Sequence, residues 1–199
     1  MRIVGGRLKG RRIEPPKGIT ARPTTDFTKE ALFNILQHSI PLEGIRVLDP
    51  FAGAGGISLE FLSRGAVEVI SVEQDAVLHG FLRRTATALG LANWHCVKTD
   101  VFAFLRTQHG TFDVIFADPP FDLPGTADLP ALVRERNLLA EDGVLIVEHP
   151  RNINLGNDPW FNSCRKYSNI HFSFLSPPTR TPAGQPRTAH QDTDETTEP

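Results

Sequence analysis

A chain of 199 residues, 40% hydrophobic and 22% charged, lies in the range of a soluble domain with one sizeable core and modest appendages. No apolar run approaches the roughly 20 residues of a membrane-spanning helix, and the start Met1-Arg2-Ile3-Val4 lacks a secretory stretch, so a cytoplasmic location is expected. The net charge of −2 hides an uneven distribution, because Arg2, Arg7, Lys9, Arg11, Arg12, Lys17, Arg22 and Lys29 crowd the first 30 residues against only Glu14, Asp26 and Glu30.

That basic end is either a polyanion-binding surface or a solvated edge, and charge alone does not decide between them. Ile3-Val4 and Ile13, separated by Gly5, Gly6 and Gly10, predict a β-hairpin that ends at Pro15-Pro16. Thr24-Thr25-Asp26 offers N-cap chemistry to a helix through residues 31–36, closed by Pro41. From residue 45 onward, short β-rich runs (45–48, 67–72, 94–97, 112–116, 143–147) alternate with helix-spaced runs (57–62, 76–89, 101–105, 129–139). Such alternation implies βαβ units and a parallel, doubly wound α/β sheet. Residues 161–167 and 170–175 can add an antiparallel hairpin. From about Pro177 the chain is rich in Pro, Thr, Gln and acids, and is read as a disordered tail. The expected organisation is an N-terminal hairpin and helix (1–40), a main domain (41–176) and a tail (177–199). Cys96 and Cys164 lack metal-ligand spacing and read as reduced packing residues, and no metal is expected.

Four motifs carry chemistry. In Val47-Leu48-Asp49-Pro50-Phe51-Ala52-Gly53-Ala54-Gly55-Gly56-Ile57, a strand enters a glycine turn before a helix. Ser58 stands where a dinucleotide fold places a third glycine, and an acid at Asp49 would repel a pyrophosphate but suit an ammonium. Glu73 ends the next strand about 20 residues on, where a ribose-binding carboxylate belongs, although a solvated strand-end acid is the alternative. Nearby Asp75 suits a helix start. Asp100 can accept from an adenine amine, cap the helix at Val101, or do both. Fourth, Ala117-Asp118-Pro119-Pro120-Phe121 ends an apolar strand with a rigid set of acceptors beside a flat ring. Acceptors of that kind can grip the NH₂ of a planar base and align it with a sulfonium methyl. The candidate catalytic set is therefore Asp118, Pro119, Pro120 and Phe121. The candidate S-adenosylmethionine set is Asp49, Phe51, Gly53, Gly55, Glu73, Asp100, Val101 and Thr25.

On Ile3-Val4-Gly5-Gly6, Lys9-Gly10-Arg11, Arg22-Pro23-Thr24-Thr25-Asp26, Glu30-Ala31-Leu32-Phe33-Asn34, Asp49-Pro50-Phe51-Ala52-Gly53, Asp118-Pro119-Pro120-Phe121 and Val147-Glu148-His149, the chain resembles the bacterial 16S ribosomal RNA guanine-N2 methyltransferases of the small-subunit methyltransferase D type, over residues 1–175. The resemblance implies a seven-stranded, Rossmann-like class I methyltransferase sheet closing on an antiparallel hairpin. It also implies that Arg2, Arg7, Lys9, Arg11, Arg12 and Arg22 contact RNA. The implied partner is 16S ribosomal RNA within a small-subunit assembly particle, with the protein acting as a monomer and no membrane involved. Phe27 replaces a basic residue usual in that family, and Ser58 replaces a commoner glycine. His149 is either a substrate contact or a satisfied strand-end histidine. The rival readings are an adenine-N6 methyltransferase, a nicotinamide-linked oxidoreductase and a non-catalytic RNA-binding module.

Overall fold

The computed structural model describes residues 1–16, 25–167 and 170–178. Lys17 and Arg22, and almost all of the expected tail, lie outside the described residues. Seven strands form one sheet in the order β3-β2-β1-β4-β5-β7-β6. The strands are β1 Arg46–Asp49, β2 Glu68–Val72, β3 Trp94–Val97, β4 Phe112–Ala117, β5 Leu139–Pro150, β6 Phe161–Tyr167 and β7 Ile170–Leu175. The helices are α1 Asp26–Ser39, α2 Gly56–Ser63, α3 Ala76–Leu89, α4 Val101–Thr107 and α5 Leu129–Glu135. The first five strands run parallel, and β7 pairs antiparallel with both β5 and β6.

Side chains alternate across the sheet and build a core on each face. Val47, Val114, Phe116 and Ile146 pack with Leu32, Phe33 and Leu36 of α1 and Phe61 and Leu62 of α2. Leu48, Ile115, Ala117 and Val147 face the other way, onto Val101 and Leu105 of α4 and Leu129 and Val133 of α5. The strand order reverses between β1 and β4, so their carboxyl ends open the crevice where ligands bind in doubly wound sheets. Among the described residues, no helix is long and apolar enough to cross a membrane. Cys96 and Cys164 are both free.

One element departs from the expected pattern. The helix expected over residues 129–139 stops at Glu135, because Asn137 adopts a left-handed φ of 52°. Asn tolerates that conformation at a helix end, and the chain then enters β5 four residues earlier than expected, pairing Leu139 with Phe112. The N-terminal hairpin is short: Arg2 and Arg12 pair antiparallel, flanked by hydrogen bonds from Ile13 N–H to the Met1 carbonyl at 2.9 Å and from Ile3 N–H to the Arg11 carbonyl at 3.0 Å, with turns between the two arms. Those turns dock on the end of α2: Arg7 N–H donates to the Ser63 carbonyl at 2.7 Å and Leu8 N–H to Ser63 Oγ at 2.9 Å. The approach is close enough that a Cβ on Gly6, whose φ is +71°, would lie 2.0 Å from the Ser63 carbonyl oxygen, so no other residue fits there. Among the described residues of the segment 1–40, Ile3, Leu8, Leu32 and Phe33 belong to the cluster under the sheet.

Candidate active site

The glycine turn after β1 is held from behind. Gly55 caps α2 with a φ of 78°, and a Cβ there would meet Leu82 and Trp94 at under 3 Å. It faces the core and does not line the ligand cavity, whereas its neighbours Gly53, Ala54 and Gly56 do. Ser58, in the place of a third glycine, is fully buried and hydrogen-bonded. Its Oγ donates to Asp49 Oδ2 at 2.5 Å and lies 2.6 Å from Ser71 Oγ, which accepts from Trp94 Nε1 at 2.7 Å. Because the single Ser58 proton is spent on Asp49, Ser71 must donate to Ser58, so the whole chain of donors points at the Asp49 carboxylate.

Asp49 is 2% exposed, and burial pushes its pKa up to about 7 against the opposing Ser58 hydrogen bond, with the charges of Asp118 and Glu73 adding to the rise. An acid under that strain is relieved by a cation such as an amino-acid ammonium. Glu73, beyond β2, accepts from Gly53 N–H at 2.9 Å and Asp75 N–H at 2.8 Å, which ties the second strand end to the glycine turn. Burial raises its pKa against those backbone bonds. Each of its oxygens retains a lone pair for a ribose hydroxyl. Asp75 caps α3, accepting from Val77 and Leu78 N–H, so its role is local. Asp100 caps α4 through Ala103 N–H at 2.8 Å and also lines the cavity.

These groups border one cavity of about 1420 Å³ at the carboxyl ends of the strands. Asp49, Phe51, Gly53, Glu73, Asp100, Val101 and Thr25 line it, and so do Asp118, Pro119, Pro120 and Phe121. Of the expected cofactor set, only Gly55 turns away. An internal carboxylate, a second carboxylate at ribose distance in sequence, and a backbone turn backed by Leu82 and Trp94 fit the amino-acid and ribose ends of S-adenosylmethionine. Phe121 is 47% exposed, an unusual state for a phenyl ring without a partner. Burial, then the charge of Glu148, raise the Asp118 pKa well above the usual carboxylate range.

The N-terminal region completes the rim. Thr25 caps α1 by accepting from Thr28 N–H at 3.2 Å, and Phe27, in the first turn, is 72% exposed at the cavity. Counted in the sequence as a surface base, Lys29 is 2% exposed. Its ammonium reaches Glu60 at 3.3 Å, Asp26 at 3.2 Å and the Arg2 carbonyl, while Glu60 also accepts Val4 N–H at 2.8 Å and pairs with Arg64. This clasp fixes α1, and hence Thr25 and Phe27, to α2. Arg2 is held by Asp26 at 2.9 Å, and Arg7, Lys9, Arg11 and Arg12 are exposed. His149 Nδ1–H donates to the Pro150 carbonyl at 3.0 Å, its Nε2 lies 2.8 Å from Ser173 Oγ, and it does not line the cavity, so it is the satisfied strand-end histidine. Glu148, one residue earlier, does line it and was absent from the expected site.

A family model described as "Conserved hypothetical protein 95" matches residues 1–176. Ribosomal RNA small subunit methyltransferase D of Escherichia coli (strain K12) is 32% identical over 148 residues, covering 74% of each chain. Its namesake in Haemophilus influenzae is 32% identical, covering 74% of this chain and 78% of its own. The structure of a hypothetical protein from Thermus thermophilus superposes with a TM-score of 0.77 at 30% identity, over 88% of this chain and 99% of the other. An RNA methyltransferase from Salinibacter ruber, in complex with S-adenosyl-L-homocysteine, shares the fold at 13% identity, with a TM-score of 0.62 over 83% of this chain and 100% of the other. The chain thus belongs to the "Conserved hypothetical protein 95" family, the S-adenosylmethionine-dependent methyltransferases that include ribosomal RNA small subunit methyltransferase D.

Proposed function

We propose that the protein transfers a methyl group from S-adenosylmethionine to the exocyclic N2 of a guanine in 16S ribosomal RNA, within a small-subunit particle. The observation that carries this reading is that Asp118, Pro119 and Phe121 stand in the same cavity wall as Asp49 and Glu73. One cavity therefore offers a cofactor end and a base-gripping end, and all the assigned residues come from a single chain. Exposed Arg7, Lys9, Arg11 and Arg12 supply the phosphate contacts that RNA binding needs.

Guanine N2 is a poor nucleophile because its lone pair is delocalised into the ring. Asp118 and the Pro119 carbonyl accept its two hydrogens, favouring a more pyramidal nitrogen and fixing its direction of approach. Phe121 holds the ring plane by stacking. When bound, S-adenosylmethionine would supply the methyl carbon, activated by its sulfonium, and would be left as a neutral thioether once N2 has taken the methyl. The N2 nitrogen sheds one proton, for which Asp118, with its raised pKa, is the adjacent acceptor before release to water. No covalent enzyme intermediate is required.

Nucleoside analysis of small-subunit RNA from cells with and without the gene tests the reading. The N2-methylguanosine content should fall when the gene is absent and return with purified enzyme. Loss of N6-methyladenosine instead would transfer the assignment to an adenine-N6 activity.

A further inference from the structure

The acceptor that grips the amine is not alone at its end of the sheet. Strands β4 and β5 run parallel, and Ala117 pairs with Val147 at the end of their shared ladder. The next residue on each segment is an acid, Asp118 just beyond β4 and Glu148 within β5, so the two carboxylates stand at neighbouring places at this end of the sheet. Both line the cavity. Glu148 is only 6% exposed and sits across from Phe172, which is fully buried. Glutamate is rarely buried to that extent, and the residue after it, His149, is engaged with Ser173. The charge of Glu148 also contributes to the raised pKa of Asp118, as expected for neighbouring carboxylates.

Two adjacent acceptors match one base and mismatch the others. On its Watson–Crick edge, guanine presents the N2 amine next to N1–H, a row of donors. Adenine sets its N6 amine beside N1, and cytosine sets its N4 amine beside N3, and both of those ring nitrogens are acceptors. A carboxylate beside Asp118 would bond the guanine N1–H and would face a lone pair on the other two bases. A polar edge left unpaired in a closed site is costly, and this kind of contact discriminates more sharply than shape.

We propose that Glu148 is the specificity residue of the site, accepting guanine N1–H while Asp118 holds the N2 amine. This rests on the guanine-N2 reading above.

The test uses small-subunit particles whose target guanine, first located by mapping the wild-type product, is replaced by 2-aminopurine. That base keeps the reacting 2-amino group but has no N1–H. Wild-type enzyme should methylate guanine about 10²-fold more efficiently, in kcat/KM, than 2-aminopurine, as expected for loss of one charge-assisted bond. In Glu148→Gln the ratio should collapse toward unity, because a carboxamide can accept from N1–H or donate to a bare N1. Glu148→Ala should also lose the preference. A merely structural role for Glu148 would slow both substrates together and keep the ratio, as would a misfolded variant, and either result overturns the proposal. If the wild type forms no N2-methylguanosine at all, the functional reading fails first. If it forms the product yet shows a guanine to 2-aminopurine ratio near one, this inference alone fails.

Discussion

The clasp between α1 and α2 makes a demanding prediction. Glu60→Ala removes a fully buried carboxylate that pairs with Lys29 at 3.3 Å, accepts Val4 N–H at 2.8 Å and binds Arg64. Lys29, itself 2% exposed, would keep only Asp26 at 3.2 Å and the Arg2 carbonyl. Breaking one side of a buried pair costs about 3–5 kcal/mol. An orphaned backbone N–H adds about 1–3 kcal/mol, although costs at one site overlap rather than sum. A loss of about 4 kcal/mol is therefore expected. With a urea slope of about 2 kcal/mol/M, the unfolding midpoint should fall by about 2 M. Should Glu60→Ala prove too unstable to purify, Glu60→Gln keeps an acceptor for Val4 and should lose less. Replacing both partners, as Lys29→Met with Glu60→Gln, should recover part of the loss, because no lysine ammonium is then left buried without Glu60. A midpoint shift worth under about 1 kcal/mol for Glu60→Ala would place the pair with ordinary surface bridges and refute the reasoning.

Other expectations follow from the site. Asp118→Ala should lower kcat by about 10²–10³-fold with little change in S-adenosylhomocysteine affinity by calorimetry, since an aligned acceptor acts mainly in the transition state; wild-type turnover in this variant would remove the acceptor mechanism. Asp49 has a folded pKa of about 7, above its ordinary 3.8, so it carries a proton below about pH 7 and cannot then offer charge to an ammonium. Cofactor affinity should rise with pH through that value and flatten above it, with Asp49→Asn insensitive to pH. The stability contribution runs in the opposite sense, being present at low pH and lost as pH climbs from about 4 through about 7. Alanine at Arg7, Lys9, Arg11 and Arg12 together should weaken RNA binding and flatten its salt dependence by about 0.7–0.9 of a unit of log–log slope per lost phosphate contact, and an unchanged slope would move the RNA surface elsewhere.

Most of the sheet could be read from the chain because parallel strands buried on both faces are written as short apolar runs, and each helix between them carries its own spacing. Asp49, Glu73 and Asp118 were legible for a related reason: acids directly after apolar strands must emerge at one end of the sheet. What was missed depended on contacts across the fold. Leu138 and Leu139 continue a helical pattern, and only Asn137, a residue at ease in the left-handed region, signalled that the helix stops. Lys29 was counted as a surface base, yet it shares a helix face with Leu32, Phe33 and Leu36, and a cation on an apolar stripe is a sign of a buried partner. Gly55 was grouped with the ligand loop because sequence cannot say which side of a turn meets solvent and which meets Trp94. Glu148 directly follows the expected strand 143–147, so the rule that singled out Asp118 applied to it as well; in the structure it lies inside β5, which runs on to Pro150.

The donor chain from Trp94 through Ser71 and Ser58 to Asp49 gives the molecule an optical property. Indole emission depends on the electric field along the ring and on the hydrogen bond at Nε1, and here that bond, 2.7 Å long, is the far end of a relay whose near end is the cofactor carboxylate. Trp160 is the other tryptophan, and its ring lies 5.6 Å from the Arg134 guanidinium. In a Trp160→Phe background, the remaining emission comes from Trp94 alone. Ionisation of Asp49, or arrival of an ammonium beside it, changes the polarisation of every bond in the relay and should shift that emission. Occupancy of the methyl-donor end of the cavity is thereby convertible into a fluorescence titration that needs no label, no RNA and no turnover.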